Sequence, residues 1–146
     1  MVLNLIWVSP CGTQEEEFQL KLLQKDTILE TTNFQADLNN IYGNYYYSYN
    51  EEGYQGNVSI SKLANNKIAF DIFSVTGAPG RNMAEVPLDS IQLNGNSFVY
   101  KIPESDSCEF KVNFFKDFLM LEYTRGNCDG QFGWNATIEG IFLKTK

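Results

Sequence analysis

Apolar and polar residues alternate along the chain from Ile41 onwards, and a period of two is typical of strands that bury one face. In the clearest run, apolar residues occupy every second position at Ile68, Phe70 and Ile72. Other apolar faces with the same period are Val58, Ile60, Phe98, Tyr100, Ile102, Phe110, Val112, Phe114, Leu119, Leu121 and Tyr123. Turn residues separate these runs, and Asn94-Gly95 is a strong hairpin signal. The pattern predicts about eight short antiparallel strands.

Strands joined by short turns favour a meander, and closure into a barrel removes the exposed edges that a long antiparallel sheet must protect. We therefore expect an all-β fold over residues 42–146, namely a roughly eight-stranded antiparallel meander barrel of the lipocalin or calycin type. Pro87 interrupts the run 83–93, which holds one or two short strands. A glycine-containing bend then leads into a final strand along which Ile138 and Phe142 are apolar positions.

Residues 15–41 lack this alternation and are interpreted as a short N-terminal helical or irregular segment. Thr13 and Glu16 have the spacing of a capping box, which satisfies backbone donors at the start of a helix. Phe18 and Leu22 then recur near helical spacing. This segment is expected to cover the mouth of the barrel or to lead out of it as a tether.

The apolar run 2–8 precedes Cys11. This arrangement resembles the end of a secretory signal peptide with Cys11 as a lipid-attachment site, so residues 1–14 are interpreted as a signal or lipidation remnant. The other interpretation is a buried N-terminal strand or a free thiol at Cys11. No segment of the sequence is long and apolar enough to cross a bilayer, so any membrane attachment is expected through a lipid.

Cys108 and Cys128 lie at the outer ends of a predicted hairpin, where two strand ends come close together. A disulfide between them closes a loop of about twenty residues and is expected to stabilise the fold by about 3 kcal/mol. Such a bridge persists in an oxidising compartment. We therefore expect a secreted, periplasmic or lipid-anchored protein.

The net charge of −7 and the isoelectric point near 4.5 limit the classes of partner that the protein is expected to bind. Basic residues are spread thinly, with no stripe that could neutralise a run of phosphates, so nucleic acid is excluded as a partner. An acidic surface instead favours encounter with a basic protein, because opposite charges speed association.

The sequence contains no histidine, which removes Ser-His-Asp and Cys-His catalysis as well as histidine metal sites. Its carboxylates are scattered and form no local motif. Asp129-Gly130-Gln131 lacks the remaining ligands of a calcium loop. We therefore predict a non-enzymatic protein with no catalytic residue, no metal site and no cofactor.

Two groups of residues are candidates for binding. Arg81 and Asn82 close a loop shaped by glycine and proline, and both side chains can donate hydrogen bonds to a partner. Tyr45, Tyr47 and Tyr49 share one face of a strand, and tyrosine offers apolar area together with a polar hydroxyl. For both groups the alternative interpretation is purely structural: a plain surface loop, and a strand face that belongs to the core.

The closing segment 128–144 reads Cys-Asp-Gly-Gln-Phe-Gly-Trp-Asn-Ala-Thr-Ile-Glu-Gly-Ile-Phe-Leu-Lys. It resembles the C-terminal signature of small bacterial extracytoplasmic β-barrel domains, the lysozyme-inhibitor-like proteins, over roughly residues 42–144. The chain departs from that pattern at Phe142, where the family has tyrosine, and by a single cysteine in the closing bend. The resemblance implies a barrel fold and inhibition by insertion of a loop into a lysozyme cleft, and no inhibitory residue can be matched individually.

These observations lead to two hypotheses for function. The first is an extracytoplasmic module that binds a basic secreted protein such as a lysozyme or another cell-wall hydrolase. The second is a lipocalin-like carrier of a small apolar ligand, because an eight-stranded barrel can hold one ligand. A hollow interior lined by aromatic residues would favour the carrier, whereas an interior filled by Phe70, Phe110, Phe114 and Leu121 would oppose it.

Overall fold

The alternating segments form strands throughout the computed structural model, which describes residues 36–126 and 128–145. The predictions for residues 1–14, for Cys11 and for the helical segment up to residue 35 lie outside these described residues. The eight strands are β1 (Gly43–Ser48), β2 (Gln55–Lys62), β3 (Lys67–Val75), β4 (Met83–Gln92), β5 (Ser97–Lys101), β6 (Glu109–Phe114), β7 (Phe118–Arg125) and β8 (Gly140–Lys144).

All strands belong to one antiparallel sheet with the order β4-β3-β2-β1-β8-β7-β6-β5. Strands that are consecutive in sequence therefore pair with each other, with one exception: β4 and β5 do not pair and form the two edges of the sheet. The first and last strands, β1 and β8, pair in its middle. Tyr45 pairs with Lys144 and Tyr46 with Leu143, so the first and last strands join the two halves. The fold class is confirmed: an eight-stranded antiparallel barrel that is nearly closed.

The open seam lies between β4 and β5, in the middle of the chain, although Asn94-Gly95 predicts a hairpin there. Only one bridge, Asn94 with Ser97, forms at this turn. The register of β4 on β3 shifts between Phe70 and Ile72, opposite Pro87, and the strand beyond Pro87 is mostly exposed. A bulge bends its strand, and proline lacks an N–H for pairing, so both features disfavour a regular ladder between β4 and β5.

Apolar side chains fill the interior. Buried and more exposed residues alternate most clearly in β2, β3, β6 and β7. The largest fully buried side chains are Tyr45, Phe70, Phe98, Phe110, Phe114, Phe142, Ile41, Ile68, Ile72, Leu119, Leu121 and Ile138. At the centre, the Phe70 ring lies 4.9 Å from that of Phe98 and 5.0 Å from that of Tyr100. Because Phe70 belongs to β3 and its partners to β5, these contacts hold the seam closed from inside.

A glycine makes room for one of the interior aromatic contacts. Gly56 is paired with Tyr47, and a Cβ atom at Gly56 would overlap the Tyr47 ring. The Tyr47 ring therefore lies flat over the β2 backbone and meets Phe142 edge-on, with 4.9 Å between ring centroids. This contact adds packing across the junction of β1 and β8.

The disulfide between Cys108 and Cys128 is present, as the sequence predicts. Cys108 precedes β6 and Cys128 follows β7, so the bridge joins the outer ends of that hairpin at a Cα–Cα distance of 4.5 Å. Both cysteines are buried. The disulfide is compatible with an extracytoplasmic location. Among the described residues, no helix is long and apolar enough to cross a bilayer.

Replacing both cysteines with alanine, C108A/C128A, should lower the free energy of unfolding by about 3 kcal/mol, because the unfolded chain then regains the freedom of a loop spanning about twenty residues. Urea denaturation followed by circular dichroism measures this difference. Cys11→Ala, which leaves the bridge intact, is the matched control. Two results together would contradict the bridge: the same urea midpoint in the double variant as in the parent protein, and thiol labelling of both Cys108 and Cys128 in the parent protein.

Candidate functional site

The two ends of the barrel differ in the length of their connections. One end, here the loop end, carries residues 49–54, 76–82, 102–108 and 126–139; residue 127 is not described. The other, here the turn end, carries residues 36–42, 63–66, 93–96 and 115–117. Successive strands are antiparallel, so their connections alternate between the ends. Long loops on a rigid scaffold are the usual place for binding residues, which makes the loop end the candidate site.

Hydrogen bonds join three of these connections into one surface. The Ala78 N–H donates to the Glu52 carbonyl at 2.8 Å, and the Arg81 guanidinium donates to the Glu51 carbonyl at 3.2 Å. The Gly133 N–H donates to the Met83 carbonyl at 2.9 Å. The loop 76–82 is thus held between the β1–β2 turn and the bend before β8.

The structure places the Arg81–Asn82 group at the loop end together with Tyr47 and Tyr49. Tyr45 instead lies toward the turn end, where it pairs with Lys144. Arg81 is exposed, and its guanidinium contacts the turn that follows Tyr49. Asn82 is half-buried and closes the loop, since its N–H donates to the Thr76 hydroxyl at 2.9 Å and its carbonyl accepts from the Thr76 N–H at 2.9 Å. Asn82 thus shapes the loop, while the Arg81 side chain lies on its outer face.

The three tyrosines of β1 share a face, as predicted, and they lie at different depths. Tyr45 is completely buried, and its hydroxyl donates to the Ile41 carbonyl at 2.7 Å, so Tyr45 is a core residue and cannot contact a partner. Tyr47 is half-buried. Tyr49, just beyond the strand, is 69% exposed and contacts both Tyr47 and Tyr54 edge-on. The accessible member of the predicted tyrosine group is therefore Tyr49, and Tyr54, outside that group, adds a second exposed ring beside it.

Trp134 is the largest exposed apolar side chain at the loop end, with 80% of its surface accessible, and the sequence-based candidates do not include it. Its neighbour Gly133 lies against β4: a Cβ atom there would come within 3.1 Å of the Met83 backbone. Met83 is itself 58% exposed. A tryptophan flanked by glycine and asparagine in a bend, outside any alternating run, is the signal that could have identified it.

The bend that presents Trp134 is fixed at both ends. The Cys108–Cys128 disulfide holds its start. At its other end, the Ser74 hydroxyl donates to the Thr137 carbonyl, and the Tyr123 hydroxyl lies 2.9 Å from the Thr137 hydroxyl. The Ile138 N–H also donates to the Tyr123 hydroxyl at 3.2 Å. These bonds occupy the backbone before β8, so the final strand is only Gly140–Lys144, shorter than the alternation suggests.

The bend also lines a concavity of about 480 Å³ that is open to solvent. Trp134, Phe132 and Ala136 provide apolar surface there, and Asp129 and Asn135 provide polar groups. Concave surfaces with a few polar groups among apolar ones are typical of binding sites. Phe70, Phe110, Phe114 and Leu121 are buried in the interior of the barrel, which is the arrangement expected to oppose the carrier hypothesis.

Charge is separated between the two ends. Acidic residues outnumber basic ones at the loop end, where Glu51, Glu52, Glu104, Asp106, Glu109, Asp129 and Glu139 lie with Arg81, Lys101 and Arg125. The opposite holds at the turn end, where Lys62, Lys67, Lys116 and Lys144 lie with Asp37 and Asp117. The loop end is therefore the acidic, aromatic end of the molecule.

Several phenols have shifted pKa values. Burial raises the pKa of Tyr45 to about 12. Burial, reinforced by a 2.5 Å hydrogen bond to Asp89, raises the pKa of Tyr100 to about 12 as well. The same bond, with one from the Ser90 N–H, lowers the pKa of the Asp89 carboxyl. Because Tyr100 is on β5 and Asp89 on β4, this pair bridges the open seam.

Within residues 36–126 and 128–145, no group of three or more acidic or cysteine side chains is arranged to hold a metal ion. Comparisons with family models, with curated protein sequences and with solved structures found no match to this chain. The fold and site define an eight-stranded β-barrel with an acidic, aromatic loop end.

Alkaline titration tests the positions of the buried phenols. Folding favours the neutral form of Tyr45 and Tyr100, so their contribution to stability is complete below the ordinary pKa of 10.0 and is lost as the pH rises to about 12. Phenolate formation is followed by absorbance at 295 nm in the parent protein and in Y45F or Y100F. The absorbance of the parent protein should exceed that of each variant only near pH 12, where the removed phenol would ionise. Tyr46→Phe is the subtraction control, and a Tyr45 midpoint near pH 10 in folded protein would contradict its burial.

Proposed function

We propose that this protein is a non-enzymatic binding module whose loop end engages a basic extracytoplasmic protein, with lysozymes and related cell-wall hydrolases as the first class to test. The observation that carries this proposal is Trp134, which is 80% exposed on a bend fixed by a disulfide and by side-chain hydrogen bonds. Tryptophan is among the residues that contribute most to protein interfaces. Holding it rigid before binding reduces the entropy lost on association.

The surroundings of Trp134 support a protein partner of positive charge. Tyr49, Tyr54 and Met83 add exposed apolar surface at the same end. The carboxylates of this end lie on the same connections, and polar groups beside an apolar centre are typical of interfaces. A basic partner would be attracted by these carboxylates and would then bury the aromatic side chains.

The location belongs to the same proposal. Secretion, with or without attachment through a lipid at Cys11, would bring the loop end into contact with extracytoplasmic proteins. It would also preserve the Cys108–Cys128 bridge. The resemblance of the closing segment to lysozyme-inhibitor-like proteins suggests the target class, while the exposed groups of the loop end supply the means of binding.

Titration of lysozyme activity with the pure protein tests the proposal. We expect inhibition at a one-to-one ratio that weakens as salt is raised, because screening reduces the attraction between the acidic loop end and a basic enzyme. Trp134→Ala should weaken inhibition by about thirtyfold, the loss expected of a central interface residue.

Leu88→Ala is the matched control, because Leu88 is 73% exposed and lies on β4, outside the loop-end connections. It should inhibit as well as the parent protein. Absence of inhibition at excess protein would remove lysozyme as the target. Equal losses in W134A and L88A would show that the loop end is not the surface that binds.

A further inference from the structure

The turn end, opposite the proposed protein-binding surface, carries lysines on neighbouring elements of the barrel. Lys67 begins β3 and Lys62 ends β2, Lys144 ends β8, and Lys116 lies in the turn between β6 and β7. The sheet order places β3, β2, β1, β8 and β7 side by side, so these lysines form an arc around the end. The arc is broken by only two carboxylates among the described residues of this end, Asp37 and Asp117.

Two of these lysines are engaged within the protein. The Lys144 ammonium donates to both oxygens of Asn40, and the Lys62 ammonium lies 5.6 Å from the centre of the Tyr42 ring. Lys67 and Lys116 are exposed on the turns. Lys62 and Lys144 are therefore held in place by contacts within the protein, whereas the long side chains of Lys67 and Lys116 can extend toward a partner.

Exposed apolar side chains lie among these charges. Leu38 and Leu63 occupy turns of this end, and each is 41% exposed. Leu143 is 62% exposed beside Lys144, while the half-buried Phe115 stacks on Phe118 at 4.5 Å in the turn that carries Lys116. A surface that mixes lysines with leucine and aromatic side chains suits the interface of a bilayer. A soluble polyanion would use the lysines and leave the leucines in water.

The negative net charge does not prevent such contact, because the two ends are far apart. β3 has nine residues and spans the barrel, so the ends are separated by roughly 20–25 Å once strand tilt is included. The Debye length is about 10 Å at 0.1 M salt. A surface touching the turn end is therefore screened from the carboxylates of the loop end.

We propose that the turn end is a membrane-facing surface that binds anionic lipid headgroups through its lysine arc while Leu38 and Leu63 enter the interface. Bound in this way, the barrel directs Trp134 and the loop end away from the bilayer. This interaction depends on neither the identity of the loop-end partner nor a lipid at Cys11.

Vesicle flotation with the full chain tests the proposal at about 0.1 M salt. The vesicles are phosphatidylcholine alone, or phosphatidylcholine with about one-third phosphatidylglycerol. Binding should require phosphatidylglycerol.

Each surface lysine contributes roughly fivefold in affinity, so K67S/K116S should bind about 25-fold more weakly. K101S/K111S removes the same charge from β5 and β6 and is the matched control, which should change binding by less than about threefold. Leu63→Ser should weaken binding by about fivefold.

Three results would overturn the proposal. Equal binding to vesicles with and without phosphatidylglycerol would remove headgroup charge from the interaction. Equal losses in K67S/K116S and K101S/K111S would show that the turn end is not the binding surface. A large loss in the lysine pair with no loss in Leu63→Ser would indicate a site for soluble polyanions instead of a bilayer.

Orientation on the vesicle gives an independent readout. In a W7F/W134F background, L63W places the only tryptophan at the turn end. Its fluorescence should shift to shorter wavelength and be quenched by brominated lipid. In W7F alone, Trp134 should be quenched far less. Stronger quenching of Trp134 than of L63W would overturn the proposed orientation.

Discussion

The contacts of Phe70 with the rings of β5 and β6 are the interaction on which the rest of the barrel depends. Because β4 and β5 end the sheet instead of pairing, backbone hydrogen bonds alone do not close it. The Phe70 ring lies 4.9 Å from Phe98 and 6.5 Å from Phe110, and it joins the half of the sheet that contains β3 to the half that contains these partners. The interior has to be filled for the barrel to close, which leaves binding to its outer surfaces.

A filled barrel also gives its two ends separate roles. The strands hold the long connections at one end and the tight turns at the other, with opposite excess charge at each. The disulfide, Ser74 and Tyr123 fix the bend that presents Trp134, so the aromatic surface is ordered before any partner arrives. The same separation leaves the lysine arc free for a different kind of contact.

Local pattern predicts most of this fold and part of its site. The alternation of Ile68, Phe70 and Ile72 is enough to predict a strand with one buried face, and the cysteine spacing is enough to predict the bridge. Position along a strand is harder: Tyr45 and Tyr49 share a face, yet one is buried and the other exposed, because burial depends on how far each lies from the barrel end. The tight turn expected at Asn94-Gly95 forms, with Asn94 bridged to Ser97, but β4 and β5 do not pair beyond it, which the local turn sequence does not predict.

The central claim is that Trp134 is 80% exposed on a bend that is anchored at both ends, and the decay of its fluorescence anisotropy tests this most directly. Trp7→Phe leaves Trp134 as the only tryptophan. We expect efficient quenching by a soluble quencher, together with anisotropy that decays only through tumbling of the whole protein. A fast, large-amplitude loss of anisotropy that is unchanged when the Cys108–Cys128 bridge is reduced would show a mobile loop and contradict the account.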